Sequence, residues 1–199
     1  MDSSQWDARY AAAPDLVWTA DPNRFVVEVL TDLPPGRALD LAAGEGRNAV
    51  WLAQQGWQVT AVEFSTVAVE RGRRLADQRG VTVEWIVADL RAYAPPTDSF
   101  DAVIVAYLHL PAADLSPVLT AAGAALAPGG TLLIVGHDVA NLTAGVGGPQ
   151  DAALLHTPEA IVAPLDGLDV TRAATVRRPV RVGDETRHAL DTVVVAVRP

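Results

Sequence analysis

Residues 40–49 read Asp40-Leu41-Ala42-Ala43-Gly44-Glu45-Gly46-Arg47-Asn48-Ala49. Gly44 and Gly46 permit a tight turn and a close approach of backbone to ligand, and a helix opening there directs its positive end at that ligand. Glu63 ends the next apolar run, where a carboxylate can accept from both hydroxyls of a ribose. Gly-x-Gly alone is a weak signal. Set between a strand and a helix, with an acid ending the second strand, it specifies an adenosine-type cofactor. A second set of reactive side chains follows two later apolar runs: Tyr107 and His109 after one, His137 and Asp138 after the other. A neutral imidazole is a natural base near pH 7, and a neighbouring carboxylate improves it.

Two cofactors compete for the loop. Gly44-x-Gly46-x-x-Ala49 also fits the relaxed dinucleotide fingerprint, which leaves NAD and an oxidoreductase as the alternative. Charge separates them. A pyrophosphate would face Asp40 and Glu45, and one such pair at ~4 Å costs on the order of 4 kcal/mol at an effective dielectric of 20. S-adenosyl-L-methionine carries a sulfonium and an ammonium against one carboxylate, so the same Asp40 attracts it. A non-catalytic binder of that cofactor is the rival from another class.

The composition narrows the field further. All 15 basic residues of the 199 are arginine, against 24 acids, for a net charge of −9. Without lysine, a P-loop NTPase and a Schiff-base enzyme are excluded. Without cysteine there is no disulfide framework or thiolate nucleophile. The acidic balance argues against nucleic acid as a partner. No apolar run approaches the ~20 residues of a membrane span, and the polar start Met1-Asp2-Ser3-Ser4 is unlike a signal peptide. The expectation is a soluble cytoplasmic protein, monomer or homodimer, acting on a small molecule. No metal-ligand spacing stands out.

The elements that must position these residues alternate from residue 37 onward. Strands are expected at 37–41, 58–63, 83–87, 100–106 and 131–136, with helices at 46–55, 65–79 and 114–126 between them. Such alternation implies right-handed crossovers and a mostly parallel sheet covered on both faces. Residues 141–150 read as a loop, 157–165 as a short helix, and 169–176 with 187–198 as two strands joined by a polar turn. Strands joined that closely are antiparallel.

Four stretches, Asp40 to Asn48, Glu63-Phe64-Ser65, Ala88-Asp89-Leu90 and Pro128-Gly129-Gly130, resemble the successive motifs of class I S-adenosylmethionine-dependent methyltransferases. The Gly-Glu-Gly-Arg-Asn string looks similar to the small tellurite-resistance-type (TehB-like) bacterial members. The resemblance covers roughly residues 5–137. It implies an α/β fold: a doubly wound, Rossmann-like, seven-stranded sheet, mostly parallel with an antiparallel last strand. It also implies roles. Asp40 would meet the methionine ammonium, and Gly44 and Gly46 would let the cofactor lie on the loop, with Arg47, Asn48 and Ala106 alongside. Glu63 would hold the ribose, Phe64 would pack on the adenine, Asp89 would accept from its amino group, and Leu90 would supply a backbone amide. Ala42 stands where many members have glycine.

The whole chain reads as one domain. Residues 1–33 form an N-terminal helical segment, expected to fold over the cofactor as a lid with Tyr10 and Trp18. Residues 37–137 form the cofactor core, 138–156 an acceptor-side loop, and 157–199 a C-terminal helix and edge hairpin. For methyl transfer to oxygen, His137 is the expected base and Asp138 its orienting partner. Tyr107, His109, Asn141 and Gln150 are expected to line the acceptor pocket, and the amides of the last two fit a sugar hydroxyl.

Overall fold

The computed structural model describes residues 3–199, so Met1 and Asp2, the first two residues of the expected lid, lie outside the described residues. Seven strands run β1 (Arg37–Leu41), β2 (Gln58–Glu63), β3 (Glu84–Val87), β4 (Phe100–Ala106), β5 (Leu126–His137), β6 (Asp169–Val182) and β7 (Glu185–Val197). They form one sheet in the order β3-β2-β1-β4-β5-β7-β6. The first five are parallel, and β7 is antiparallel to both neighbours. The order reverses between β1 and β4, and in such sheets ligands bind beyond the strand ends at that point.

Alternation along the central strands divides the core. Ala38 and Ala102 face α2 (Arg24–Leu30), α3 (Arg47–Gln54) and α4 (Thr66–Arg79), packing with Phe25, Leu52 and Leu75. Leu39, Leu41, Val103 and Val105 face the other way, towards α5 (Ala112–Ala125) and Ile161 of α7 (Pro158–Val162). Both layers are apolar because both faces of a parallel sheet are covered.

Local chemistry sets the boundaries. Ser65 accepts from the Ala68 amide and starts α4, which ends on Gly80 in the left-handed region. The Pro128-Gly129-Gly130 turn sits inside β5 as an irregularity, where pairing to β4 jumps from Phe100↔Leu126 to Ala102↔Thr131. Two expectations need correction. Residues 141–144 form a short helix, α6 (Asn141–Ala144), within the expected loop. The edge hairpin is also longer than read. Its pairing continues to Val182↔Glu185, whereas β5 stops at His137↔Asp191, so the hairpin overhangs the sheet.

Candidate active site

The turn between β1 and α3 is built by three left-handed residues: Ala42 at φ 60°, Gly44 at 57° and Gly46 at 80°. Glycine adopts this conformation freely, while alanine strains to do so. Glu63 pins the turn from β2, its carboxylate accepting from the Gly44 amide at 2.9 Å and the Ser65 amide at 2.9 Å. Burial pushes its pKa up, and those amides pull it back. Glu63 thus shapes the loop before any ribose is considered. Gly46 has a second reason to be glycine: a Cβ there, or at Gly72 of α4, would collide with the tip of Trp85.

Asp40 lies under this turn, fully buried, with neither carboxylate oxygen hydrogen-bonded. Burial pushes its pKa up to about 7, Glu63 adds to the rise, and the Ala49 amide and the Arg47 charge oppose it. The Ala49 amide leans towards it without closing a hydrogen bond. A buried carboxylate left bare is costly unless a cation completes it. An ammonium or sulfonium does so; a pyrophosphate does the opposite. The residues present therefore fit S-adenosylmethionine.

The N-terminal segment docks on the same turn. Helix α1 (Ser3–Ala12) places the Tyr10 hydroxyl over Gly44, and Trp18 Nε1 donates to that hydroxyl at 3.4 Å. Burial and the Glu63 charge push the Tyr10 pKa up. The Trp18 amide donates to Glu45 at 3.1 Å. Arg71 of α4 pairs with Glu45 at 2.9 Å and donates to the carbonyls of Ala13 and Asp15. Asp7 accepts from the Ser65 hydroxyl at 2.5 Å. Tyr10 and Trp18 of the expected lid lie together against the turn. Here the cation over the Trp6 and Trp18 rings is Arg9.

Other expected cofactor residues divide. Phe64 is half-buried beside the loop, and Ala106 ends β4 at the switch point. Arg47 opens α3, and burial lowers its pKa while Tyr107 and Asp40 raise it. Asn48 differs from expectation, because its oxygen accepts from the Asn23 amide at 2.8 Å and so fixes the start of α2. Asp89 is paired with Arg91 at 2.5 Å in a half-exposed position, which holds its pKa down. Leu90 packs into the apolar layer beside α5.

At the ends of β4 and β5 a second cluster assembles. The rings of Tyr107 and His137 lie 5.0 Å apart, those of His109 and His137 5.5 Å, and those of His109 and His156 5.0 Å. Tyr107 sits at φ 57°, a strained backbone for an aromatic residue. His137 Nδ1 is 3.2 Å from Asp191 Oδ1, within ion-pair range but angled off hydrogen-bond geometry. Asp191 Oδ2 accepts from Arg178 Nε at 2.5 Å and from the Tyr107 hydroxyl at 3.0 Å. Burial alone would raise the Asp191 pKa; His137 and Arg178 reverse this and hold it below the ordinary value. Burial and the Asp191 charge push Tyr107 up to about 12.

His109 Nδ1 lies 2.7 Å from the Leu154 carbonyl, so it carries the proton and leaves Nε2 a bare, buried acceptor. Burial, with His156 next, lowers the His109 pKa to about 4. His156 donates to the Leu108 carbonyl at 3.1 Å and is lowered likewise to about 4. Both rings are neutral at pH 7.

Three expectations fail here. Asp138 does not orient His137. As its neighbour on the chain it faces away, accepting from Thr175 and Thr192 at 2.7 Å each. The carboxylate beside His137 is Asp191, which the antiparallel register of β5 and β7 places directly opposite. Asn141 does not face an acceptor: it is buried, accepts from the Leu190 amide at 2.8 Å and donates to the Gly147 carbonyl at 2.7 Å. Gln150 is exposed and donates to the carbonyls of Gly148 and Pro149. Asp191 carried one signal in the sequence: it is the lone acid inside Ala189-Leu190-Asp191-Thr192-Val193-Val194.

Among the described residues no group of three His, Cys, Asp or Glu side chains can hold a metal ion, and no helix is long and apolar enough to cross a membrane.

Comparison with known proteins places this geometry. Residues 38–130 match the family model described as a methyltransferase domain. A demethylmenaquinone methyltransferase of Thermus thermophilus is 34% identical over 123 residues, which cover 61% of this chain and 54% of the relative. A ubiquinone biosynthesis O-methyltransferase of Xanthomonas campestris is 30% identical over 142 residues, covering 63% of this chain and 58% of the relative. The chain thus spans little more than half the length of these relatives. TehB of Haemophilus influenzae superposes with a TM-score of 0.74 at 15% identity, covering 99% of this chain and 67% of TehB. That likeness shows the fold alone, so the tellurite-type kinship expected from the loop gives way to the broader group. Over residues 38–130 the chain is thus similar to a methyltransferase domain, and its seven-stranded sheet is that of the class I methyltransferase α/β fold.

Proposed function

We propose that this protein transfers the methyl group of S-adenosylmethionine to a hydroxyl oxygen of a small acceptor, with His137 as the base. The observation that carries the cofactor half is Asp40, a fully buried carboxylate with no hydrogen bond among the described residues. Asp40 would face the methionine ammonium, Arg47 and the amides opening α3 the methionine carboxylate, and Glu63 the ribose. S-adenosylmethionine supplies, when bound, a methyl carbon on a positively charged sulfur that departs as a neutral thioether.

The remaining work falls to this chain. His137 lies at the end of β5, its Nδ1 beside Asp191 and its Nε2 against Gly148. Asp191 favours the tautomer with the proton on Nδ1, so the Nε2 lone pair is free to take the acceptor's hydroxyl proton. As that proton leaves, the oxygen forms its bond to carbon, and the imidazolium is stabilised by Asp191 until it releases the proton to solvent. Arg178 and Tyr107 hold Asp191 ionised and fixed. His109, neutral with a bare Nε2, can accept from a second donor on the acceptor.

The O-methyltransferase named among the relatives supports oxygen as the target. A sugar hydroxyl retains less support, because Asn141 spends its amide within the loop and Gln150 lies outside the cluster. The test is His137→Ala in an acceptor screen with labelled cofactor. We expect methyl transfer to fall at least ~100-fold, in line with loss of a general base, while S-adenosylhomocysteine binds within about threefold of wild type. Unchanged turnover with an unchanged pH profile would remove His137 from the reaction.

A further inference from the structure

The overhanging hairpin carries more arginine than the reaction uses. Arg172 pairs with Glu28 at 2.7 Å, Arg178 with Asp191 at 2.5 Å, and Arg198, just past β7, with Asp98. Among the described residues, Arg177 and Arg187 reach no carboxylate within ion-pair distance. In a chain of net charge −9, acids to neutralise them are abundant.

These two arginines line a surface cavity of about 320 Å³ together with His188, and Thr143, Gly145 and Val146 close its other side. The cavity wall is held firmly. The Val146 amide donates to the His188 carbonyl at 3.1 Å, and Asn141 ties the same loop to Leu190 and Gly147. Among the described residues no carboxylate lines it. Strand alternation puts Arg177 on the face of Thr175, and the pairing Val180↔Arg187 puts Arg187 on the face of Arg178. Among the described residues, none of Tyr107, His109, His137 and Asp191 lines the cavity, so it is separate from the His137 cluster.

We propose that this cavity binds an oxyanion, the phosphate group of a small molecule or the free ion. Guanidinium groups meet phosphate oxygens through paired, charge-assisted hydrogen bonds, and two arginines line this one cavity. The inference does not rest on methyl transfer.

The experiment is calorimetric titration with pyrophosphate and, in parallel, orthophosphate at fixed ionic strength. The protein is first saturated with S-adenosylhomocysteine, so that the glycine loop is occupied. We expect saturable binding at one site per chain. Arg177→Gln with Arg187→Gln should weaken it at least tenfold, and Arg181→Gln, on the same hairpin outside the cavity, should change it less than twofold. Arg177→Lys keeps the charge and should fall between. Absence of saturable binding, competition with S-adenosylhomocysteine, or an equal loss with Arg181→Gln overturns the proposal. Should S-adenosylhomocysteine itself fail to bind, the cofactor reading fails alone, and the Arg177 and Arg181 variants of the bare protein still decide the anion site.

Discussion

Two carboxylates, Asp40 at the end of β1 and Asp191 in β7, are both fully buried, yet they end in opposite states. Asp40 has no hydrogen bond and its pKa rises to about 7, while Asp191 is gripped by Arg178, Tyr107 and His137 and its pKa falls. Burial is the first cause acting on each and pushes both upward. What differs is the company. The protein supplies every partner of Asp191 itself, which makes that side chain a fixed support for the imidazole. At Asp40 it supplies no hydrogen bond, which is the observation behind the proposed contact with the cofactor's ammonium.

The contrast can be broken by exchanging each acid for its amide. Asp191→Asn should be the costlier, because it strands the Arg178 guanidinium and removes the charge that stabilises the imidazolium. A loss of about 3 kcal/mol in stability is expected, read by denaturant unfolding. Asp40→Asn should act with the other sign on the bare protein. An acid whose folded pKa is raised contributes stability at low pH that is lost as pH climbs from its unfolded value of 3.8 through about 7. The amide should thus stabilise the unliganded protein by ~2–4 kcal/mol at pH 8 and by little at pH 4. Thermal melts at the two pH values check this.

The same titration sharpens the comparison in binding. Cofactor should prefer ionised Asp40, so the dissociation constant for S-adenosylhomocysteine should rise by up to about tenfold for each pH unit below 7. In Asp40→Asn that slope should vanish. A smaller effect belongs to the loop itself. Ala42 at φ 60° carries a conformation glycine takes without strain, so Ala42→Gly should stabilise by about 1 kcal/mol, seen as a small rise in melting temperature.

The two halves also differ in how far the sequence exposed them. Gly44, Gly46, Asp40 and Glu63 were legible because a strand-to-helix turn makes local demands, and local demands are written in consecutive residues. Asp191 was not, because it reaches His137 only through the register of an antiparallel pair more than 50 residues apart in the chain. Asn141 misled for a related reason: its amide looked available until the overhang of β7 gave it a backbone to hold. Asp138 stood next to the right histidine and faced the wrong way, as strand alternation requires. The collision that keeps Gly46 and Gly72 bare comes from Trp85 on another strand, and no pattern within the loop announces it.

The central proposal is that Asp40 pairs with the ammonium of a cationic cofactor. Calorimetric titration of wild type and Asp40→Asn with S-adenosylhomocysteine, with NADH run beside it, tests this most directly. The account predicts saturable binding of S-adenosylhomocysteine alone, weakened about 100-fold by the amide, as loss of a charge-assisted bond implies. Equal affinity in the two proteins, or binding of NADH instead, would contradict it.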